Sequence, residues 1–309
     1  MTTLFYSHPD FLAHDTGPGH PECADRLRVI EQALAGPEFD ALIRISSPLP
    51  DDIHAKIALV HTPELIASVF DNIPQRGLHY LDPDTVVGPG SGQAALRAVA
   101  AVCNAVDRIC NNQGMRAFCA IRPPGHHAEP NRVMGFCLFN NIAIAAEYAR
   151  THYQLDKIAI VDFDVHHGNG TQTAFYRQPQ VLYASTHEMP HYPGTGHPTE
   201  TGVGNIINVP LHPETTGAEF REKYVRFILP ALKKFKPQLI FVSAGFDAHR
   251  DDPLASIQLV EADYQWLTTE LAVIADEYGH GRIISALEGG YNLKALAASA
   301  AAHVKALME

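Results

Sequence analysis

Charge is scarce in this sequence. Charged residues make up 18% of the 309, and the basic ones are the minority, 23 Lys and Arg against 34 Asp and Glu. A formal net charge of −11 argues against a surface that tracks nucleic acid, which needs clustered cations to displace counterions, and against a polybasic membrane anchor. No apolar run approaches the ~18 residues of a membrane-spanning helix. The N-terminus lacks a basic stretch ahead of an apolar core, so no secretory leader is expected. Cysteine is sparse as well: Cys23, Cys103, Cys110, Cys119 and Cys137 make an odd number with no C-x-x-C pair. Most lie in apolar stretches, which predicts reduced, buried thiols and a cytoplasmic location rather than a disulfide framework. Tryptophan occurs once, histidine 18 times. The hydrophobic content, 46%, excludes disorder and suffices for a sizeable core.

Short β-branched or aromatic runs predict strands at 3–7, 42–45, 117–121, 157–163, 181–186, 206–209, 239–243 and 282–287. Helical patterns lie between them at 24–35, 92–111, 141–151, 217–234 and 261–278, with Asn140 or Asn141 as a cap and Gly279 as a terminator. This alternation predicts an α/β fold with a mainly parallel sheet. No linker or repeat divides residues 1–309, so a single domain is expected. The Pro/Gly-rich stretches 74–92 and 189–204 read as surface loops. In a parallel sheet, ligands bind beyond the carboxyl ends of the strands.

Four strand ends carry chemistry. The apolar run from Ile158 leads into Asp162, Asp164, His166, His167 and a Gly168-Asn169-Gly170 turn. Side chains alternate along extended backbone, so Asp164 and His166 can offer an oxygen and a nitrogen to one divalent ion. Taken alone, the pair is equally a solvated strand end. Asp247, after the apolar run from Leu239, completes three ligands, a set that leaves the open position of a catalytic site. Arg122-Pro-Pro-Gly-His126-His127 sets two imidazoles on a rigid bend, suited to acid–base work, with Asp162 and Asn169 as candidate partners. Glu288-Gly-Gly-Tyr291 presents a phenol, a neutral donor able to stabilise an oxyanion.

Together these motifs resemble the histone deacetylase and acetylpolyamine amidohydrolase family, with the bacterial class II-like deacetylases. Further motifs extend the resemblance over nearly the whole chain: Gly19-His-Pro-Glu-Cys-Ala-Asp-Arg26, Gly135-Phe-Cys-Leu-Phe-Asn-Asn141 and Tyr192-Pro-Gly-Thr-Gly196. It implies an arginase-like three-layer fold around eight strands. It also implies Asp164, His166 and Asp247 as ligands of zinc, with ferrous iron as the alternative in the cell. His126 is then paired with Asp162, His127 with Asn169, and Tyr291 is the catalytic tyrosine. Many relatives carry Asp at the Asn169 position, and Asn is typical of the class II branch. The implied reaction is metal-assisted hydrolysis of an acyl amide, with His127 as general base.

The resemblance further implies Phe136 and Tyr192 as walls and Gly135 as floor of an acyl-lysine tunnel. Relatives usually have Phe at the Tyr192 position. Arg26 resembles an arginine lining a product channel, and Asp84 an acid that binds the substrate backbone. Leu254 stands where polyamine-selective relatives carry an acid, which favours an acylated lysine of a protein or peptide over an acylated small amine. Asp251 and Asp252 beside it keep the small-amine alternative open, although a solvated acidic turn is the plainer reading. The family's potassium sites map onto Asp162, Asp164, His166, Ser185 and Thr186, and onto Phe175, Gln178, Val181 and Asn205. No nucleic acid or membrane partner is expected, and a homo-oligomer is compatible. An acyl-lysine sensor without turnover would predict a broken catalytic set, and every catalytic position is filled. Guanidine hydrolysis would want a two-metal cluster, whereas this chain offers a single acid–His–acid set.

Overall fold

The computed structural model describes residues 2–46 and 49–309. Its strands are β1 (Thr3–Tyr6), β2 (Ile43–Ile45), β3 (His79–Tyr80), β4 (Val86–Val87), β5 (Arg116–Cys119), β6 (Ile158–Asp162), β7 (Val181–Glu188), β8 (Ile206–Leu211), β9 (Leu239–Ala244) and β10 (Ile283–Leu287). Eight form one sheet in the order β2-β1-β5-β10-β9-β6-β7-β8. Every pairing in it is parallel, and all eight predicted strands are present. The chain has the three-layer arginase/deacetylase-like α/β fold. The small antiparallel β3–β4 ladder lies within the stretch read as a loop.

The helices are α1 (Asp25–Ala33), α2 (Ile53–Ile57), α3 (Pro63–Asp71), α4 (Ser91–Cys110), α5 (Asn141–His152), α6 (Asn169–Phe175), α7 (Gly217–Lys223), α8 (Leu229–Phe235), α9 (Glu261–Tyr278) and α10 (Leu293–Met308). Alternation along the central strands assigns them to opposite faces. Tyr6, level with Cys119, bonds Asn104 of α4, while Phe118 packs on His303 of α10 and Ser285 bonds the same imidazole. Thus α4 and α5 cover one face, and α10 with α1 and α9 the other. Asn140 caps α5 through Ala143 N, and α9 ends at Gly279, as expected. The single helix predicted over 217–234 is two. Pro230 has no N–H to continue the α-ladder, and a π turn at Tyr224–Ile228 joins α7 to α8.

Sheet order positions the site. β5 and β6 follow one another in the main sheet's chain order, yet β10 and β9 lie between them. The carboxyl ends of β5, β10, β9 and β6 therefore stand side by side, and each runs into one of the four chemical motifs. A crevice at such a break in strand order is the usual ligand position of an open parallel sheet.

Candidate active site

Beyond β6, Asp164 and His166 turn toward Asp247 from beyond β9. One donor atom from each lies within 4.8 Å of the others, and all three side chains are buried. His166 Nδ1 is 3.1 Å from Asp164 Oδ1 and 3.1 Å from Asp247 Oδ2. Ligands about 2.0 Å from a tetrahedral centre stand about 3.3 Å apart, so the spacing and the O, N, O chemistry fit a small divalent ion. Backbone amides hold the outer lone pairs: His166 N donates to Asp164 Oδ1, Gly289 N to Asp164 Oδ2 and Val165 N to Asp247 Oδ1. A Cβ at Gly245 would collide with the Asp164 carboxylate, and one at Gly289 with those of Asp164 and Asp247. Glycine is required at both because backbone crosses directly behind the carboxylates.

The Pro-Pro-Gly bend beyond β5 brings in the imidazoles, whose ring centroids are 4.0 Å apart. His126 Nδ1 lies 3.1 Å from Asp162 Oδ2, and His127 Nδ1 lies 2.8 Å from Asn169 Oδ1. Burial opposes a charged imidazole at both positions. At His126, Asp164 and Asp162 outweigh it and hold the ring well above its ordinary pKa. At His127, burial followed by repulsion from His126 and His166 pushes the ring well below. Burial and then the charge of Asp247 drive the Tyr291 phenol well up, so it stays a hydroxyl donor.

Of these residues His127, His166 and Tyr291 open onto a cavity of about 230 Å³, lined also by Asp84, Gly135, Phe136, His191, Tyr192 and Leu254. Tyr192 stands edge-on to His127 at 5.1 Å, and Phe136 edge-on to Tyr291 at 5.9 Å. Gly135 (φ +59°) touches the His127 ring so closely that a Cβ would overlap it. Phe136 shares the left-handed conformation (φ +67°), which strains a bulky residue. Asp84 and Thr85 hold this pair by accepting from the amides of Gly135 and Phe136. Asp84 thus lines the cavity with one carboxylate oxygen already engaged.

Arg26, expected beside an internal product channel, is wholly buried, bonds the backbone carbonyls of Gly290 and Glu288, pairs with Glu22 and lies over the Tyr291 ring. It holds the turn that carries Tyr291. Asp252 is no solvated turn residue. It is buried, and its carboxylate accepts from the amides of Leu254, Tyr291 and Asn292. Its carboxylate faces the chain's own amides and is not part of the cavity lining, while the Asp251 side chain is exposed. Phe175, Gln178 and Val181 do converge, with the Asn205 Nδ2 lying 2.8 to 3.0 Å from all three of their carbonyl oxygens. Of the inner set, Asp162 and Ser185 are register neighbours on β6 and β7, while the Ser185 hydroxyl meets His187 and that of Thr186 meets Tyr224.

Sequence reasoning missed several contributors. Glu288 accepts from the amides of Gly125 and His126, and burial raises it to about 7 against the pull of His126. Its signal was present, because it follows β10 directly. His191 bonds the Leu254 carbonyl at 2.9 Å, joining two rim loops. Glu129 bonds Asn169 at 2.7 Å. Neither carries a local signal that separates it from ordinary loop polarity.

Comparison with known proteins agrees with this geometry. Residues 20–307 match the family model of the histone deacetylase domain. The chain is 37% identical to histone deacetylase 14, chloroplastic, of Arabidopsis thaliana, over 99% of this chain and 76% of that protein. It is 35% identical to the histone deacetylase-like amidohydrolase of Pseudomonas aeruginosa, over 89% of this chain and 73% of the relative. The crystal structure of the HDA15 HD domain superposes with a TM-score of 0.93 at 34% identity, covering 99% of this chain and 88% of that one.

Proposed function

The chain belongs to the histone deacetylase family, and from that premise we propose that it is a divalent-metal-dependent amide hydrolase that removes acyl groups, acetyl first among them, from lysine side chains of proteins or peptides. The observation that carries the reading is that one cavity is lined by His127, Tyr291 and His166, the last of these grouped with the donors of Asp164 and Asp247.

A divalent cation held by Asp164, His166 and Asp247 would supply Lewis acidity toward the acyl oxygen and lower the pKa of the attacking water. The chain's own groups do the rest. Asn169 accepts from His127 Nδ1, which leaves Nε2 free to take a proton from the water and return it to the departing amine. Tyr291, a persistent donor, gives a hydrogen bond to the acyl oxygen as negative charge develops there. His126, paired with Asp162, stands beside the carboxylate cluster, where Asp164 and Asp162 outweigh burial and raise its pKa. Phe136 and Tyr192 offer apolar faces to a lysine methylene chain, and Leu254 puts no charge at the rim to attract a second amine. Zinc suits the O, N, O donor set, and ferrous iron takes the same ligands.

The test is kinetics of the purified, metal-quantified protein on acetyl-lysine peptides, longer-acyl peptides and acetylated polyamines side by side. Fastest turnover of an acyl-lysine peptide, lost on chelation and restored by zinc, is expected. Preference for the polyamine would reassign the substrate. No turnover of any acyl amide at full metal occupancy would leave a binding protein.

A further inference from the structure

The Asn169 side chain lies between an imidazole and a carboxylate. Its Oδ1 is 2.8 Å from His127 Nδ1, and its Nδ2 is 2.7 Å from Glu129 Oε1. An ionised carboxylate only accepts hydrogen bonds, so the nitrogen end of the amide belongs against Glu129. The oxygen end then faces His127, and an amide oxygen also only accepts. His127 Nδ1 must therefore carry the ring proton, leaving the lone pair on Nε2. Reversing the amide would set oxygen against carboxylate and disfavour that tautomer. The other acceptors near Nδ2, the His127 carbonyl at 3.4 Å and Met134 Sδ at 3.3 Å, are too distant or too weak to fix the orientation. Glu129 is itself steadied: Arg132 donates to the same Oε1 at 3.2 Å, and the two residues share a backbone bridge.

We infer that Glu129 is a positioning residue that, by orienting the Asn169 amide, sets which nitrogen of His127 carries the proton and so presents Nε2 to the substrate. The inference rests on reading His127 as the general base. It gives the His–Asn pair a third member, two hydrogen bonds from the imidazole. A carboxylate at position 169 would act on the ring by charge, whereas here an amide passes on orientation and the charge stands one residue further back.

The test exchanges the two groups. Glutamine at 129 can turn either end of its amide toward Asn169, so Glu129→Gln is expected to lower kcat about tenfold, as loss of an orienting partner does, with KM nearly unchanged. Asn169→Asp alone sets two carboxylates face to face and is expected to lose at least as much. The double variant, Glu129→Gln with Asn169→Asp, swaps carboxylate and amide at constant shape and net charge. It restores both hydrogen bonds and is expected to recover most of the turnover. A residue that merely packs would give additive losses, and additivity in this cycle overturns the inference. If the zinc-loaded wild type hydrolyses no acyl amide, it is the catalytic reading that fails, and the tautomer is then read directly. Long-range nitrogen–proton spectra of histidine-labelled, zinc-loaded protein should place the His127 proton on Nδ1 in the wild type and show a mixture in Glu129→Gln. An unchanged His127 pattern in the variant overturns the role of Glu129.

Discussion

His126 and His127 are adjacent in sequence and in contact in space, yet their surroundings drive their pKa values in opposite directions. The difference lies in what each faces: two carboxylates for His126, an amide and two imidazoles for His127. Sites that part neighbouring titratable groups in this way assign acid and base roles by environment. Tyr291 adds a donor that cannot ionise near neutrality. Tyr291→Phe should lower kcat about 10²–10³-fold, the cost of one oxyanion donor, with little change in KM; near wild-type turnover would remove the phenol from the mechanism. Asp247→Ala should abolish stable metal uptake, read as metal content after gel filtration, because one imidazole and one carboxylate make too few ligands for a catalytic ion. Full metal content in that variant would mean the ligand set is elsewhere.

The turns beyond β9 and β10 form one mechanical element although Asp247 and Tyr291 are 44 positions apart in the chain. Asp252 ties them by accepting from Leu254 at the rim and from Tyr291 and Asn292 on the catalytic turn. Asp252→Ala removes the acceptor of three part-buried amides, at up to about 1–3 kcal/mol each. It should lower kcat at least tenfold by that arithmetic and accelerate amide exchange at 291–292. Unchanged exchange there would show that other contacts hold the turn. On the proposed ligand set Gly289→Ala should behave like loss of a ligand, since its methyl would overlap the carboxylates of Asp164 and Asp247. Element by element, the sequence was readable where burial is one-sided or complete. The strands show as apolar runs, and Glu261–Tyr278 has the predicted bounds. Helix α10 was missed, because its outer face is mostly alanine between Lys294 and Lys305 and so contrasts little with the face packed on α9 and α1.

The whole molecule buries several histidines as neutral rings. Burial lowers His14 and His61 to about 4 and His303 to about 3. An unfolded histidine titrates near 6.5, so between about pH 6.5 and 4 the unfolded chain binds more protons than the folded one. Stability from these groups is complete above pH ~6.5 and is lost as pH falls toward 4. Glu22 adds a later loss: against the cost of burial, Arg122 lowers it to about 2, so its contribution fades only below the ordinary carboxylate range. Calorimetry should show Tm falling from pH 6.5 to 4 and more steeply below; a flat Tm over the upper window would mean these rings are protonated without penalty.

Local sequence determined the eight strands, the four motifs at their ends and the residue types of the site, because burial, strand alternation and glycine turns are written within a few neighbouring residues. Asp164, His166, Asp247, His126, His127 and Tyr291 were all legible on that basis. Tertiary structure alone decided their convergence, since β5, β10, β9 and β6 become neighbours only when the late strands fill the gap left between the early ones. It also made Arg26 a support of the Tyr291 turn, turned Asp252 from a solvated acid into a second support of that turn, and drew Glu129 to Asn169. Hydrogen bonds between residues far apart in the chain leave no periodic trace in sequence, because their geometry exists only once the sheet has set the register.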